Sequence, residues 1–588
     1  MHIGNHLEND LKGIILNQNA LHILEQMYLD TASGETCDSL FKRVARTLSD
    51  VEIPFNGVGF ADYWNLRFYK SMQRLEFLPG SPILLNAGKR SGQLSSCHCL
   101  PVSHTEKDSI PYLELARRVQ QRGSGTAFNF TSTPALKRSK SPDQRPLVVD
   151  LLHAYSREMG LIMQGGIRTG CNTGILSVHH PDIKEFIEAK NDPNVLNNFY
   201  LTVSLSDNFM SSLENNDTYQ VFDPITGEAL EEIPAGPIFE AIVDASWRNG
   251  DPGVIFADTI ARDNPVPELG QFGAVSGCGE QIMIEHESCF LGSINLAAMI
   301  TQKQQNPASV DWEKLGDTID TAVRFLDNTY EASTFASDEI ERVSKLGRKI
   351  GLGVMGLGDA FYILQIPYNS EKAVEITRDI MAFIKNRAYS CSEALAKEKG
   401  ACSVFLSASH AHSRRNATMT TIAPTGTISM IAGCSAGIEP IFRLIYLRRL
   451  ASGKRLLEVN RNFIRKAFEA GLDIPCILAE LTRGRRLDEL TSIPQHIKQV
   501  FVTAQDVSPE WHLNIQRAAQ KHTDNAVSKT VNLSCNATRM EIREIYLKAY
   551  QMGLKGITVY RDMSRENQPL SCQEDSSLLN MWLKANGY

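Results

Sequence analysis

The sequence of 588 residues lacks any run of about eighteen or more apolar residues, and its first residues lack the basic and then apolar pattern of a secretion signal. These absences predict a cytoplasmic protein without a membrane partner. The chain also lacks an excess of basic charge, since 60 Lys and Arg stand against 67 Asp and Glu, with a formal net charge of −7. We therefore expect no nucleic acid partner.

Cysteine is sparse, with 12 residues at irregular spacing, which does not fit a secreted disulfide framework. The nearest approach to a metal pattern is Cys97-His98-Cys99, but no second Cys/His pair at a zinc-site spacing completes it. We therefore predict no metal site. Reduced thiols, some of them reactive, explain the cysteines better.

Short segments rich in β-branched and aromatic residues alternate with amphipathic ones. Residues 175–178, 198–206 and 253–258 predict strands, whereas residues 369–399 predict a long helix that begins near Ser370. Such alternation favours a parallel α/β architecture. Residues 1–75 have apolar positions at helical spacing and predict a helical region.

One stretch, residues 275–296, carries the strongest chemical signal and reads Val-Ser-Gly-Cys-Gly-Glu-Gln-Ile-Met-Ile-Glu-His-Glu-Ser-Cys-Phe-Leu-Gly-Ser-Ile-Asn-Leu. Cys278 lies between two glycines, which suits a tight loop tip where a sulfur can approach a ligand closely. Glu280 can lie beside it as an acid or base. A buried structural cysteine in a Gly-rich turn is the alternative on local composition alone.

A second stretch, residues 420–429, predicts a strand that ends in Pro-Thr-Gly-Thr before a helix. Backbone amides at a helix N-terminus together with threonine hydroxyls form a ready anion site. The candidate phosphate-binding residues are Pro424, Thr425, Gly426, Thr427 and Ile428.

The first stretch closely resembles the finger loop of ribonucleotide reductase catalytic subunits. In the adenosylcobalamin-dependent class II form this loop typically reads Asn-Pro-Cys-Gly-Glu-Gln and then Glu-Ser/Ala-Cys-Asn-Leu-Gly-Ser-Ile-Asn-Leu. The present chain departs from it at Ser276 and Gly277, where the family has Asn-Pro. Pro-Thr-Gly-Thr-Ile-Ser followed by Gly-Ile-Glu-Pro is a second class II hallmark that the chain retains.

The resemblance implies a ten-stranded α/β barrel with a central finger loop and an N-terminal helical cap. It divides the chain into a helical region at 1–75 without an ATP cone, a catalytic barrel at 76–568 and a short C-terminal tail at 569–588. The Gly-rich segment 351–356 formally fits G-x-G-x-x-G, but it follows Arg348-Lys-Ile instead of a clean strand and a partner acid is not convincingly placed, so we predict no dinucleotide site there. The resemblance implies that this segment is helix packing.

The resemblance further assigns a role to each catalytic candidate. Cys278 would carry the thiyl radical, and Glu280 would take the proton of the 3′-hydroxyl. Cys97 and Cys289 would deliver two electrons while they close to a disulfide. Ser276, shorter than the family's asparagine, would reach the sugar only through a water or a shifted loop.

Ser81, Ser96 and Gly125 fall where relatives bind the substrate phosphate and sugar. Gly166 and Arg168 belong to a Gly-rich loop that resembles the one relaying effector identity, although a surface turn with a solvated arginine is an equally good interpretation. Residues 137–146 replace the stretch that shapes the effector loop in relatives. This puts the binding of a deoxynucleoside triphosphate effector in doubt.

The predicted function is radical reduction of ribonucleotides, as di- or triphosphates, to 2′-deoxyribonucleotides with adenosylcobalamin. Val559 precedes Tyr560 where class I subunits need adjacent tyrosines. After residue 568 the only cysteine is Cys572, and a single thiol cannot form the intramolecular dithiol that would reduce the active-site disulfide. An external dithiol such as thioredoxin would therefore re-reduce the enzyme. We expect the protein to be a monomer or homodimer. The alternatives are a diverged reductase of a different nucleotide, a class I-type subunit with a radical-generating partner, and a nucleotide-binding pseudoenzyme.

Overall fold

The computed structural model describes residues 9–11, 14–90, 92–102, 106–134, 147–164, 168–192, 194–302, 307–406, 413–450, 453–565, 568, 570–571 and 575–588. Ten strands form its main sheet and are numbered here in chain order. They are β1 (Phe77–Pro79), β2 (Cys97–Leu100), β3 (Gly125–Asn129), β4 (Asn172–Ser177), β5 (Phe199–Leu205), β6 (Gly253–Phe256), β7 (Ser288–Asn295), β8 (Ile350–Met355), β9 (Thr530–Leu533) and β10 (Gly556–Arg561).

The sheet has two parts that run in opposite directions. Strands β2 to β6 are parallel neighbours in chain order. On one side β7 pairs antiparallel with β2 and parallel with β8, and on the other β10 pairs antiparallel with β6 and parallel with β9. Strand β1 lies outside this path and pairs antiparallel with β7. The strands predicted at 175–178, 198–206 and 253–258 are confirmed, as β4, β5 and β6.

Residues 420–422 close the sheet into a barrel. Thr420 bridges to Leu352 of β8, and Ile422 bridges to Val527 just before β9. The Ile422 N–H donates to Ala526 O at 3.1 Å, and the Thr421 N–H donates to Leu352 O at 3.1 Å. The predicted ten-stranded α/β barrel is therefore confirmed, with nine sheet strands and this segment around its wall.

A hairpin of Ala274–Val275 and Ile282–Met283 lies inside the barrel and is called the finger hairpin below. Its buried side chains share one apolar cluster with inward-facing residues of the wall, among them Ala127, Ile175 and Ile255. Burial of this kind is worth about 25 cal/mol per Å² of apolar surface, which holds the hairpin against the wall. The finger loop predicted from the sequence is confirmed as an element of the fold.

Segment 351–356 is not helix packing, and that prediction was wrong. Residues 351–355 lie in β8, whose six residues are all buried, in the wall between β7 and the closing segment, and Gly356 caps the helix that follows. A Cβ added at Gly351 would lie 2.5 Å from Leu291 Cδ2 and 2.6 Å from Thr421 Cγ2. Glycine is needed here because the side chains of Leu291 and Thr421 already fill the space that a Cβ would take.

The N-terminal region is helical from residue 18 to 73, as predicted, but a short hairpin of Asn9–Leu11 and Ile14–Leu16 precedes the helices. Residues 1–8 of that prediction lie outside the described part of the chain. The helices pack on the barrel through one large apolar core. A buried ion cluster adds to this contact, since Lys399 Nζ lies 2.7 Å from Glu52 Oε1 and Arg324 Nη1 lies 3.2 Å from Glu52 Oε2.

Helices cover the outside of the barrel. The predicted long helix is confirmed, and the Ser370 hydroxyl accepts the Ala373 N–H at 3.2 Å at its start. The α-helices are Gln18–Met27, Cys37–Ser49, Ile53–Asn56, Val58–Gln73, Ser81–Asn86, Glu106–Gln121, Leu147–Gly160, Ile183–Glu188, Asp207–Glu214, Ala235–Asn249, Ala257–Arg262, Trp312–Ala332, Asp338–Gly347, Leu357–Leu364, Glu371–Lys399, Ile428–Ala432, Arg461–Glu469, Ile474–Thr482, Gln495–Val500, Pro509–Gln520, Arg539–Gln551 and Ser576–Ala585.

Small sheets and single 3₁₀ turns complete the described structure. The small sheets pair Met163–Gln164 with Arg168–Thr169, Thr218–Phe222 with Ala229–Pro234, Ile300–Thr301 with Ser309–Val310, and Ile445–Arg449 with Arg455–Val459 and Leu570–Ser571. The 3₁₀ turns are Thr31–Ser33, Asp50–Glu52, Pro267–Leu269, Leu296–Met299, Ser403–Leu406 and Leu487–Glu489. The last helix, Ser576–Ala585, packs through Leu579 and Trp582 on a separate apolar cluster of residues 441–501.

Candidate active site

The tip of the finger hairpin is a tight turn that presents Cys278. The Ser276 N–H donates to Gln281 O at 2.9 Å, and the Gly279 N–H donates to Ser276 O at 2.8 Å. Gly279 has a φ of 76°, a left-handed conformation that glycine adopts at little cost. Cys278 is exposed. The structure thus favours a thiol displayed at a loop tip over a buried structural cysteine.

Glu280, two residues further on, is buried, with 4% of its surface exposed. Its main-chain oxygen accepts the Thr421 hydroxyl at 2.5 Å and the Ala526 N–H at 2.9 Å, which anchors the tip to the closing segment of the barrel. Its Oε2 atom is buried without a hydrogen-bond partner among the described residues. Burial raises the pKa of this carboxyl, although hydrogen bonds from Ser276 and the Cys278 backbone act against the rise.

Ser276 lies inside the turn, with 1% of its surface exposed. Its Oγ accepts the Gln281 N–H at 3.1 Å, and its hydroxyl hydrogen-bonds the carboxyl of Glu280. A serine with these partners orients the acid and stabilises the turn. The sequence-based expectation that it reaches a sugar through a water or a shifted loop stays a prediction.

Cys97 and Cys289 are direct cross-strand partners on β2 and β7. Opposed residues of antiparallel strands have Cα atoms about 4.5–5.5 Å apart, which is within reach of a disulfide. Cys289 is buried and Cys97 is partly exposed. The structure therefore brings together the two thiols that the resemblance pairs.

A further thiol, which the sequence analysis did not single out, lies at the finger tip. A Cβ added at Gly277 would be 2.9 Å from Cys171 Sγ, and one added at Gly125 would be 3.3 Å from Cys171 O and 3.6 Å from Cys97 Sγ. Cys171, directly before β4, therefore connects the tip to the cysteine pair. Its presence in the Gly-rich loop 165–174 was the signal that could have identified it.

Tyr200 on β5 is a second residue that the sequence analysis missed. It is the cross-strand partner of Thr173, and 45% of its surface is exposed. Electrostatic interaction with the Cys171 sulfur contributes most to a raised pKa of its hydroxyl, followed by burial and by interaction with the Cys278 sulfur. Tyr200 therefore interacts electrostatically with both thiols, most strongly with Cys171.

The two serines expected to bind substrate also come together. Ser81 directly follows Gly80, whose N–H donates to Leu291 O at 2.7 Å, and a Cβ added at Gly80 would lie 3.0 Å from Ser96 Oγ. The Ser96 N–H in turn donates to Cys289 O at 2.8 Å. Ser96 therefore adjoins the cysteine pair, and Ser81 follows the glycine that packs on Ser96.

The Pro-Thr-Gly-Thr motif follows the segment that closes the barrel. Thr425 is buried, has a φ of 52°, and accepts the Gly437 N–H on its Oγ1 at 2.8 Å. Pro424 and Gly426 are exposed, and Ile428 begins a helix of five residues. The predicted turn before a helix is confirmed, and Pro424 and Gly426 are its exposed positions.

The remaining site predictions are less fully described. Gly166, loop 137–146 and Cys572 lie outside the described residues. Arg168 begins a two-residue strand that pairs with Met163–Gln164, and its role stays a prediction. On β10, Val559 is buried and Tyr560 is half-buried. No three acidic, histidine or cysteine side chains among the described residues could hold a metal ion.

A closed α/β barrel that encloses a thiol-tipped hairpin beside a cross-strand cysteine pair defines an oxidoreductase built on cysteine chemistry. The chain belongs to the ribonucleotide reductase family. The model of the ribonucleotide reductase barrel domain matches residues 95–414 and 409–560, and that of the all-alpha domain matches residues 16–92.

Two relatives agree with this assignment. The chain is 40% identical over 527 residues to the vitamin B12-dependent ribonucleoside-diphosphate reductase of Thermoplasma acidophilum, covering 88% of this chain and 68% of that protein. It is 39% identical over 573 residues to the protein of the same name from Mycobacterium tuberculosis (strain CDC 1551 / Oshkosh), covering 96% and 82%.

A solved structure shares the fold at low identity. The class Id ribonucleotide reductase alpha subunit of Actinobacillus ureae superposes with a TM-score of 0.77 at 22% identity, covering 93% of this chain and 97% of that one. Among the described residues, no helix is both long and apolar enough to cross a membrane.

Proposed function

We propose that this protein reduces ribonucleoside diphosphates to 2′-deoxyribonucleotides by a radical mechanism that requires adenosylcobalamin. The observation that carries the proposal is the exposed Cys278 thiol at the tip of a hairpin inside the barrel, two residues from the buried acid Glu280. The relatives at 39% and 40% identity bear the name of this reaction and of its cofactor. The diphosphate is chosen because both names specify it.

The chemistry follows from the positions of four side chains. The Cys278 thiyl takes the hydrogen from C3′ of the ribose, and Glu280 takes the proton of the 3′-hydroxyl. The 2′-hydroxyl then leaves as water, and Cys97 and Cys289 supply two electrons and two protons as they join in a disulfide. Glu280 then returns its proton to the 3′-oxygen and Cys278 returns the hydrogen to C3′, which completes the deoxynucleotide, restores the thiyl and balances atoms and electrons.

Burial of Glu280 serves this chemistry. A carboxylate with a raised pKa is a stronger base towards a sugar hydroxyl, and the closed interior excludes competing water. We assign Ser276 to the orientation of that carboxyl, because its hydroxyl hydrogen-bonds Glu280 while its Oγ accepts the Gln281 N–H. On this account Ser276 acts on the substrate through Glu280.

The surroundings of Cys278 fit a large cofactor. No atom of the described residues lies within 4 Å of a Cβ added at Gly279, next to the exposed Cys278, and Tyr200 on strand β5 is half-exposed. Adenosylcobalamin supplies homolytic radical chemistry when it is bound. Val559, buried next to Tyr560 on β10, stands where a subunit dependent on a radical partner would need a second tyrosine.

Further binding roles remain part of the proposal. Ser81, Ser96, Gly125 and residues 424–428 hold the sugar and phosphates, supported by the contact between Gly80 and Ser96. An external dithiol such as thioredoxin reaches the partly exposed Cys97. A deoxynucleoside triphosphate effector would bind near Gly166 and Arg168.

The division of the chain into a helical cap at 1–75, a barrel at 76–568 and a tail at 569–588 is also proposed, supported by the start of β1 at Phe77. We expect the protein to act in the cytoplasm, as a monomer or homodimer.

The test is product formation by the purified protein under anaerobic conditions, with a ribonucleoside diphosphate, dithiothreitol and adenosylcobalamin. We expect 2′-deoxynucleotide with all components and none without the cofactor. Activity that requires a metal-containing partner protein would contradict the cofactor assignment. Conversion of the nucleotide to another product would support the diverged enzyme, and binding without turnover would support a pseudoenzyme.

A further inference from the structure

Tyr28 connects the N-terminal helices to the substrate side of the barrel. It directly follows the helix Gln18–Met27, and only 2% of its surface is exposed. Its hydroxyl oxygen lies 2.7 Å from Ser81 Oγ, a contact between residues 53 positions apart. The side chain therefore joins a buried aromatic anchor to a serine at the end of β1.

Ser81 is well placed to act with a second hydroxyl. The residue before it, Gly80, is fixed by its hydrogen bond to Leu291 O, and it packs so closely on Ser96 that an added Cβ would lie 3.0 Å from Ser96 Oγ. Ser81 thus lies between a cap residue and the strand start that carries Ser96 and Cys97.

The same helix contacts the other proposed phosphate-binding element. Ile23 and Leu24 share one apolar core with Ile428 and Ile431 of the helix that follows the Pro-Thr-Gly-Thr motif. Asn17, which caps Gln18–Met27, has its Nδ2 atom 3.6 Å from a Cβ added at Gly433, at the end of that helix. One helix of the N-terminal region therefore supports both elements.

We propose that Tyr28 is a positioning residue for the substrate phosphates, acting through Ser81. A hydroxyl has one donor and two acceptor sites, and the phenol is the more acidic of the two hydroxyls. When Tyr28 donates to Ser81 Oγ, the serine proton is directed to a phosphate oxygen of the bound nucleoside diphosphate. This inference rests on the proposed function, because it assumes that Ser81 binds the substrate.

The test compares Tyr28→Phe with wild type by calorimetric titration of CDP and of cytidine, without cobalamin. We expect CDP to bind about 3- to 10-fold more weakly, the value of one hydrogen bond, and cytidine to bind unchanged. In turnover, KM for CDP should rise by the same factor while kcat stays within about 2-fold. In a Ser81→Ala background, Tyr28→Phe should have no further effect on CDP binding.

Tyr69→Phe is the matched control. Its hydroxyl donates to Asp38 Oδ1 at 2.5 Å within the same helical region, so its loss reports general loosening of the cap. The proposal would be overturned if Tyr28→Phe left CDP affinity unchanged or weakened cytidine binding by the same factor. It would also be overturned if Tyr69→Phe weakened CDP binding equally, or if Tyr28→Phe still weakened CDP binding in the Ser81→Ala background. So would wild type that binds no CDP. If the wild type binds CDP but does not reduce it, the proposed reductase function is refuted and the role of Tyr28 in CDP binding is still tested by the titrations.

Discussion

Gly277 should accept a side chain only if Cys171 is made smaller. A Cβ added at Gly277 would lie 2.9 Å from Cys171 Sγ and 3.2 Å from Thr173 Oγ1. Non-bonded atoms of this size prefer about 3.5–4.0 Å, so the finger tip or the thiol must move by several tenths of an ångström. Overpacking of this kind costs about 1–3 kcal/mol.

The displaced element carries the chemistry, and a misplacement of about 1 Å can cost about 100-fold in rate. We therefore expect Gly277→Ala to lower kcat by about 10- to 100-fold. Adding Cys171→Ala, which removes the sulfur atom, should restore kcat to within about 3-fold of wild type. The coupling between the two sites should be about 1–3 kcal/mol.

The assay is steady-state deoxynucleotide formation by wild type, the two single variants and the double variant. Full activity of Gly277→Ala would refute the steric argument, and so would a double variant no better than Gly277→Ala. The resemblance predicts that restoring the family's Asn-Pro, by Ser276→Asn with Gly277→Pro, raises the rate. The contact with Cys171 predicts that this gain needs Cys171→Ala as well.

Four further results are expected. Cys97→Ser and Cys289→Ser should each block multiple turnovers with a dithiol, and rates equal to wild type would remove the pair from the mechanism. Glu280→Gln should lower kcat by about 10²- to 10⁴-fold, and wild-type kcat should fall as pH drops through the raised pKa of Glu280, because the base must be ionised.

Glu280→Gln should also raise the unfolding temperature at neutral pH, where the buried carboxylate of the wild type is charged. The unfolding temperature should not rise at a pH below about 4.5, the pKa of this carboxyl in the unfolded state. Glu52→Gln should cost about 1–3 kcal/mol of unfolding free energy at pH 7, because it removes the carboxylate 2.7 Å from buried Lys399 and leaves Asp327, whose Oδ2 lies 3.9 Å from Lys399 Nζ, as a remaining counter-charge. Burial alone would raise the pKa of Glu52, but hydrogen bonds from Lys399 and Asn328 and the Arg324 charge lower it. That loss should therefore shrink as pH falls below about 4.5; a loss unchanged at low pH would refute the ion-pair explanation.

Much of the fold could be predicted because local patterns and motifs agree. Ser370 marked the start of a long helix through its hydroxyl, and residues 175–178 had the composition of a buried strand. The Gly351 segment was misjudged because its glycines are required by neighbouring strands, and close approach between distant segments leaves no local pattern. The usual sign of a strand is an alternation of apolar side chains, and this alternation is missing where glycines occupy the buried positions.

The part of the candidate site that could be predicted consists of reactive side chains that are close together in the sequence. Cys278 and Glu280 are two residues apart, so their relation could be read directly. Cys171 and Tyr200 reach the finger tip only through the pairing of β4 with β5, and Tyr28 reaches Ser81 across 53 residues. Such contacts depend on tertiary packing, which a single sequence does not encode in a local motif.

The central claim is that Cys278 carries the radical, and the most direct measurement is deoxynucleotide formation by Cys278→Ala beside wild type, with adenosylcobalamin and a ribonucleoside diphosphate. Because the thiol is exposed at a loop tip, its removal should leave the fold and CDP binding intact. The account predicts no detectable product from the variant and steady turnover by wild type. Turnover by Cys278→Ala at a substantial fraction of the wild-type rate would contradict it.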